Sequence, residues 1–575
     1  MNLLIKLKLH IVTLIKQVFA VSDEQLAGVD LKLNVDKERS FGDLSCNAAM
    51  VLAKQLGKQP RTLAAELQQA LLSPSFIIPD LIHPSSGSGI IKAVDIAGPG
   101  FINISLTTQA WQIIAQDLFL KKEYNFKLGT DSRRLRYQIE FVSANPTGPL
   151  HLGHGRGGII GDSLARVIAF LGHEVTKEFY INDAGNQVEL LGQSFKVRCM
   201  QAFGRHEELP EGGYAGQYLV DLAREAAAEF GDDLLDKDDE FFMHYAKEHM
   251  LQLIKHDLHA YGITFDEWFS EKTLHNSGAV DQALVLLKKV DLLYEQEGAA
   301  WFKSTAFGDD KDRVVKKSNG ELTYIAGDIA YHKNKFDRGY DKMINVLGQD
   351  HHGYVKRLKA TMQALGYDSS KLDVILYQLV SLKENDELVR MSKRAGTFTK
   401  LSDVIDAVGT DVARFFFLNR KADAHLEFDL AVALKKTEEN PVYYIHYAFV
   451  RTKSLLTKAK EFEQFKAFLA ALTDREAAII QQVISNIGEP EIALLKKIMS
   501  LCDVLLNIAQ TYQTHILSYY TWELAHAFHN FYTNNRVIDP ADEQTTKMRL
   551  FMVSLVKDTL EICLDLLGLS KPERM

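Results

Sequence analysis

Two short segments carry residue types whose spacing suits phosphate chemistry. The first, Glu140 to Gly158, reads EFVSANPTGPLHLGHGRGG. Within it, His151-Leu152-Gly153-His154 stands where a Pro/Gly loop gives way to a helical pattern. Gly153 and Gly155 would let a nucleotide approach the backbone, and the N-terminus of a helix favours negative charge. Two imidazoles three residues apart, His151 and His154, can donate hydrogen bonds to the oxygens of one phosphate group. Taken singly, paired histidines at a helix start are as readily surface caps. The same stretch contains Gly153-His-Gly155-Arg-Gly157-Gly158, a literal G-x-G-x-x-G. A dinucleotide fingerprint needs its first glycine in the tight turn directly after the strand. Here about ten residues and two prolines intervene, so a dehydrogenase reading fits poorly. The second segment is Val389-Arg390-Met391-Ser392-Lys393-Arg394-Ala395-Gly396, a basic loop after a strand. Lys393 would place a mobile positive charge on a triphosphate, with Ser392 and backbone amides assisting. An isolated basic loop is usually a solvated turn. About 240 residues after HLGH, in that order, it gains a chemical reading.

The elements that must position these residues follow from periodicity. Tyr137–Ser143 reads as a strand, then a loop, then a helix through Arg166 and Phe170. Val175–Ile181, Met343–Leu347 and Val374–Ser381 read as further strands, with a helix from about Tyr354. Strands alternating with helices predict a doubly wound parallel sheet. Helical patterning fills about 184–290, and a strand-rich interval with a Ser318-Asn319-Gly320 hairpin turn follows. Residues 1 to about 73 read as helices, followed by a strand pair, Ile90–Ile96 and Phe101–Leu106, joined by Gly98-Pro99-Gly100. After about residue 430 only helical periodicity remains. The expected organisation is an α+β domain over 1–125, an α/β domain over 126–430 with a helical insertion at about 184–290, and a helical bundle over 431–575.

Composition sets bounds. At 575 residues the chain exceeds one hydrophobic core. Four scattered cysteines, none in a CxxC pair, indicate neither a disulfide framework nor a structural metal site, and fit a reducing, cytoplasmic home. The apolar start is interrupted by Lys6, Lys8, His10 and Lys16, and Leu4, Leu7, Ile11, Leu14, Ile15 and Val18 recur at helical spacing. That is an amphipathic helix and not a signal peptide. No stretch reaches the roughly 18 apolar residues of a membrane span. The net charge of −9 disfavours indiscriminate nucleic-acid binding but leaves room for a locally basic surface.

HLGH and RMSKR resemble the two signatures of class I aminoacyl-tRNA synthetases. Residues 144–154, ANPTGPLHLGH, resemble the extended first signature of the arginine-specific family. So do Tyr180-Ile-Asn-Asp-Ala-Gly-Asn-Gln187, Thr323-Tyr324-Ile-Ala-Gly-Asp328-Ile-Ala-Tyr331, Phe41-Gly42-Asp43 with Asn47, Asn440-Pro441-Val-Tyr443-Tyr444, and the closing Pro572-Glu573-Arg574-Met575. The second signature departs from the class pattern at Arg390 and Arg394, while its Ser392-Lys393 centre is intact.

The resemblance implies a Rossmann-like, HUP-type catalytic domain, an N-terminal α+β domain touching tRNA, and a C-terminal helical anticodon-binding bundle. It implies ATP with Mg2+, L-arginine and tRNA(Arg) as substrates, and a monomer. By likeness, His151, His154 and Lys393 are catalytic, with Gly153, Gly155, Met391 and Ser392 completing the ATP site. Glu140 and Asp328 would match the guanidinium. Tyr324 would pack on or hydrogen-bond the same group, Ser143, Asn145 and Gln349 would hold the amino and carboxylate ends, and His154 would also contact the arginine. Tyr443, Tyr447 and Arg451 are candidates for anticodon contact, with Tyr443 and Tyr447 expected on one helix face. A synthetase-like protein without catalysis would have no physical reason to keep HLGH, Lys393 and both acids. A small nucleotidyltransferase would not need the long helical C-terminus.

Overall fold

The computed structural model describes residues 3–35, 41–78, 89–121, 133–384, 387–389 and 400–575. The amphipathic start is a helix, Leu3–Phe19, that buries Leu4, Leu7, Ile11 and Ile15. It packs on helices Pro60–Leu71 and Thr108–Leu120, in a domain whose four-stranded antiparallel sheet runs Leu31–Leu33, Leu44–Cys46, Phe101–Leu106 and Ile91–Ala97, in that order. The predicted hairpin is present. The first two strands correct the helical reading of residues 1–73. With three residues each they are too short to show alternation, and pairing with Phe101–Leu106 defines them. Gly42 has φ +64°, and a Cβ there would lie 2.8 Å from the Ile104 carbonyl oxygen. The Asp43 carboxylate accepts from the Leu106 amide at 2.6 Å and pairs with Lys496. The Phe41-Gly42-Asp43 motif therefore secures the sheet and fastens it to the C-terminal bundle, aided by Lys8–Asp503 at 2.7 Å and the Phe119–Phe551 ring contact at 5.3 Å.

The central domain is built on five parallel strands: β1 (Arg136–Glu140), β2 (Glu174–Ile181), β3 (Glu267–Ser270), β4 (Lys342–Gly348) and β5 (Leu372–Tyr377). Their spatial order is β5-β4-β1-β2-β3. The chain leaves β1 through helix α1 (Leu152–Phe170), builds outward to β3, and returns to the other side of β1 through helix α2 (Tyr324–Asp337). Strand order thus reverses between β1 and β4. Ligands of open α/β sheets bind at such a switch point, beyond the carboxyl ends of the strands.

Strand β3 interrupts the interval read as helical, 184–290. Only four residues long, Glu-Trp-Phe-Ser gives no periodicity of its own and is held by β2. The strand-rich interval after residue 290 is a separate antiparallel sheet of Leu293–Gln296, Ala299–Phe302 and Arg313–Lys316. The predicted turn follows it, with Gly320 at φ +89° and the Lys317 amide donating to the Glu321 carbonyl at 2.8 Å.

Helix α3 (Thr410–Leu418) leads toward the C-terminal bundle, whose helices include α4 (Pro441–Ala459), α5 (His515–Asn534) and α6 (Glu543–Leu567). The joint is polar and buried. Arg414 of α3 donates to Asp162 of α1 at 2.7 Å, to the Tyr261 carbonyl at 2.9 Å and to the Leu567 carbonyl at 2.9 Å. Gly568, at φ +69°, lies flat on that guanidinium, where a Cβ would come within 2.2 Å. Among the described residues no helix is long and apolar enough to cross a membrane.

Candidate functional site

At the carboxyl end of β1 the chain turns sharply. Val142 and Ser143 adopt φ values of +67° and +38°. Positive φ is costly for a β-branched residue and persists only where the surrounding structure imposes it. The turn folds the Ser143 hydroxyl back to donate to Glu140 Oε1 at 2.9 Å, while the Tyr180 amide donates to Ser143 Oγ at 3.1 Å. The predicted strand Tyr137–Ser143 therefore ends three residues early, at Glu140.

His151 caps α1. Its Nδ1 accepts from the Gly153 amide at 3.1 Å, and the Nδ1 of His154 accepts from the His151 amide at 3.3 Å. The two rings stack with centroids 3.7 Å apart. Acceptance at Nδ1 puts the proton on Nε2 of each neutral ring, so both imidazoles carry an N–H donor on the opposite edge. Capping and phosphate donation, alternatives in the sequence, are compatible in the structure.

The residues predicted from the second signature, Met391, Ser392 and Lys393, lie outside the described residues, as do Arg390 and Arg394. The segment that follows is described, and it returns to the first signature. Lys400 bridges His151, and the Leu401 amide donates to the Leu150 carbonyl at 2.9 Å. A Cβ on Gly155 would meet Leu401 Cδ1 at 2.5 Å. Gly155 thus has a packing reason in addition to the one read from the sequence. Arg156, fully buried, donates to the carbonyls of Gln378, Ala424 and Lys421 at 2.7–2.9 Å. Burial lowers its pKa to about 10, which leaves it charged at neutral pH.

Carboxylates gather beside the histidine helix. Glu140 ends β1 and is buried. Asp328 sits one turn into α2 and accepts from the Tyr354 hydroxyl. Burial, with the nearby carboxylates of Glu271 and Glu140, raises Asp328 to about 7. Glu271, the residue after β3, is buried and accepts from Tyr180. Burial and the neighbouring Asp183 raise it to about 7 as well. Asp183 is held by the Ser270 hydroxyl at 2.9 Å and the Lys272 amide at 3.1 Å.

Sequence reading missed Glu271. The signal was its place directly after a parallel strand, at the same edge of the sheet as Glu140, and the helical reading of that interval hid it. Of the other predicted residues, Asn145 donates to Gln187 at 2.7 Å. Tyr324 opens α2 and is 66% exposed. Gln349 follows the end of β4. Acids gathered at a switch point suit a planar cation next to a polyphosphate.

Comparison with known proteins agrees with this geometry. A profile described as "tRNA synthetases class I (R), catalytic domain" matches residues 115–423. "Arginyl tRNA synthetase N terminal domain" matches 6–106, and "DALR anticodon binding domain" matches 445–575. The arginine–tRNA ligase of Oleidesulfovibrio alaskensis is 43% identical over 575 aligned residues, covering 99% of this chain and 100% of the relative. The chain belongs to the arginyl-tRNA synthetase family. The Moorella thermoacetica arginine–tRNA ligase is 42% identical over 550 residues, 95% of this chain and 94% of its own. The Thermus thermophilus arginyl-tRNA synthetase structure shares the fold, with a TM-score of 0.72 at 21% identity over 97% of this chain and 99% of that one.

In this family member Tyr443, Tyr444 and Tyr447 all lie along α4 of the bundle. Tyr447 joins Tyr444, both packing on His529 of α5 with centroids 5.3 and 4.6 Å away. Tyr443 instead lines a cleft of about 530 Å³ with Asp411, Lys435 and His446. On an α-helix both i,i+3 and i,i+4 partners are neighbours, so Tyr447 adjoins Tyr444 and Tyr443 alike. Arg451 lies over the rings of Tyr447 and Tyr532 at 5.0 and 5.2 Å. Trp522, 41% exposed, stacks on His526 and extends this surface.

Proposed function

We propose that this chain joins arginine to tRNA in two steps, with the residues above in defined roles. In the first, a carboxylate oxygen of arginine attacks the α-phosphorus of ATP, supplied as its magnesium complex. The bond to the β-phosphate breaks and pyrophosphate leaves. No enzyme nucleophile is needed, so catalysis consists of positioning and charge stabilisation. The Nε2–H groups of His151 and His154 donate to the α-phosphate, and Lys393 neutralises the β,γ-phosphates. In the second step the 2′-hydroxyl of the terminal adenosine attacks the acyl carbon and AMP departs.

Glu140 and Asp328 recognise the guanidinium, with Glu271 adding negative charge to the pocket. Ser143, Asn145, Tyr324 and Gln349 orient the remainder. An amino acid that cannot match buried carboxylates leaves them unpaired at a cost of several kcal/mol, so selectivity needs no editing site. Tyr447, Arg451 and the α5 aromatics form a stacking surface for unpaired anticodon bases. The enzyme is read as a cytoplasmic monomer.

The observation that supports this reading best is the placement of two Nε2–H imidazoles and three carboxylates around one switch point. Aminoacylation with labelled arginine, ATP-Mg and total tRNA, beside lysine and glutamate controls, tests it. Arginine charging that disappears in His154→Ala and Lys393→Ala is expected. Charging that survives both substitutions would remove the two signatures from the mechanism.

A further inference from the structure

Glu140 does not stand alone at the end of β1. Lys335, on α2 and 0% exposed, donates to Glu140 Oε2 and to Asn345 Oδ1, the latter at 2.8 Å. Asn345 Nδ2 donates to His332 Nε2 at 2.9 Å, and His332 Nδ1 donates to the Asp328 carbonyl at 2.9 Å. Only one arrangement of protons satisfies this chain. Lysine has no acceptor, so the Asn345 oxygen must face it. The Asn345 nitrogen then meets an unprotonated Nε2, and the ring proton sits on Nδ1. Burial and the Lys335 charge hold His332 neutral, with a pKa near 3. Asn345 is level with Glu140 across the β1–β4 pair, so the sheet register sets the relay. Lys335 also lies 4.4 Å from the centroid of the Tyr331 ring, whose hydroxyl donates to Glu178 at 2.6 Å.

A buried lysine is costly unless each of its donors is used. Here the ammonium is engaged by Glu140, Asn345 and the Tyr331 ring. The relay joins backbone beside one candidate arginine-binding acid, Asp328, to the carboxylate of the other. With Ser143 on Oε1 and Lys335 on Oε2, Glu140 is fixed in one rotamer. Its carboxylate is also paired with a cation in a site shared with Asp328 and Glu271.

We propose that Lys335 is a positioning residue for arginine recognition, acting through Glu140 and braced by the Asn345–His332 relay. The proposal rests on the reading that Glu140 belongs to the arginine pocket. Its consequence is that Lys335 and Glu140 act as one unit toward the amino acid and are indifferent to ATP.

The test is the KM for arginine and for ATP in aminoacylation, measured for Glu140→Gln, Lys335→Met, the double variant and Asn345→Ala, with folding checked by circular dichroism. Glu140→Gln and Lys335→Met should each raise the arginine KM on the order of 10- to 100-fold and leave the ATP KM unchanged. The double variant should match Glu140→Gln alone. Asn345→Ala should raise the arginine KM several-fold. If Lys335→Met fails to fold, the double variant, which removes both charges, still decides the matter. A further rise of tenfold or more beyond Glu140→Gln would show that Lys335 acts independently and overturn the proposal. An unchanged arginine KM in both Asn345→Ala and folded Lys335→Met would do so too. An unchanged arginine KM in Glu140→Gln would instead overturn the underlying assignment of Glu140.

Discussion

Arginine binding should release protons. Asp328 and Glu271 both titrate near 7 in the empty site, because burial disfavours their charged forms and neighbouring carboxylates repel them. Around Asp328 stand Glu140, Glu271, Arg357 and the Tyr354 hydroxyl, and around Glu271 stand Tyr180, Asp183 and His275. A bound guanidinium favours the ionised acids and pulls both values down. The enzyme then binds arginine most tightly when both carboxyls are already ionised, and the affinity falls as the pH drops through 7. One such group makes the arginine KM at pH 6 about 10-fold higher than at pH 8, and two acting together about 100-fold. The assay is aminoacylation at saturating ATP and tRNA across pH 6 to 8.5, with log KM for arginine plotted against pH. The slope below pH 7 should lie between about −1 and −2. Asp328→Asn and Glu271→Gln should each reduce it by about one. A flat arginine KM below pH 7, or a slope unchanged in both variants, would refute the reasoning.

The same acids tax the empty fold. Asp328 has a folded value of about 7 against an ordinary carboxyl value near 3.9, so between those pH values the native state holds a proton that the unfolded chain has lost. Stability contributed by this group is complete at low pH and declines as pH rises from about 4 to about 7, by up to about 4 kcal/mol. Asp328→Asn should therefore raise the melting temperature of the substrate-free enzyme at pH 8 and change it little near pH 4. Arg414→Met should lower stability by about 3 kcal/mol in urea titration, near the low end for a broken buried pair, because Asp162 keeps Arg166 at 2.7 Å. Gly155→Ala should cost about 1–3 kcal/mol of stability and lower kcat, since its Cβ would displace Leu401 just after the second signature. Tyr447→Ala and Trp522→Ala should each raise the KM for tRNA by about 10-fold or more and leave the KM values for arginine and ATP unchanged.

What could be read from the sequence was whatever carries a period or a motif. Helix Leu3–Phe19 announced itself through Leu4, Leu7, Ile11 and Ile15, all buried. The strands β1, β2 and β4 were evident from apolar runs followed by helices, and with them the parallel sheet, whereas the run read as one strand, Val374–Ser381, divides between β5 and Val380–Glu384 of a separate sheet. HLGH was visible because histidine, glycine and loop composition coincide at a helix start. Strands of three or four residues escaped notice, since pairing and not patterning makes them. The cost was specific. Reading Glu267–Ser270 as helix moved Glu271 from the ligand edge of a sheet to an anonymous helix surface. The partner of Tyr444 and Tyr447 was equally hidden, because both pack on His529, some 80 residues later.

Lys335 shows the same limit more sharply. In the sequence it belongs to His332-Lys-Asn-Lys335, a run that looks like a solvated helix face. The fold buries His332 and Lys335 and turns Lys333 outward to pair with Asp337 at 2.6 Å. Helical geometry explains the difference. Asp328, His332 and Lys335 fall at i, i+4 and i+7 and share one face of α2, directed at β4 and the end of β1. A polar stripe at that spacing gives no hydrophobic signal, yet it encodes a core position as surely as leucine would, provided a complementary carboxylate waits opposite. Glu140 is that carboxylate. The pocket charge is therefore not a sum over acidic residues but the remainder after an internal cation is subtracted. Lys335 pairs with Glu140 in the structure, and under the proposed reading a guanidinium would then meet Glu140 as a fixed, cation-braced carboxylate while the added negative charge comes from Asp328 and Glu271 as they ionise.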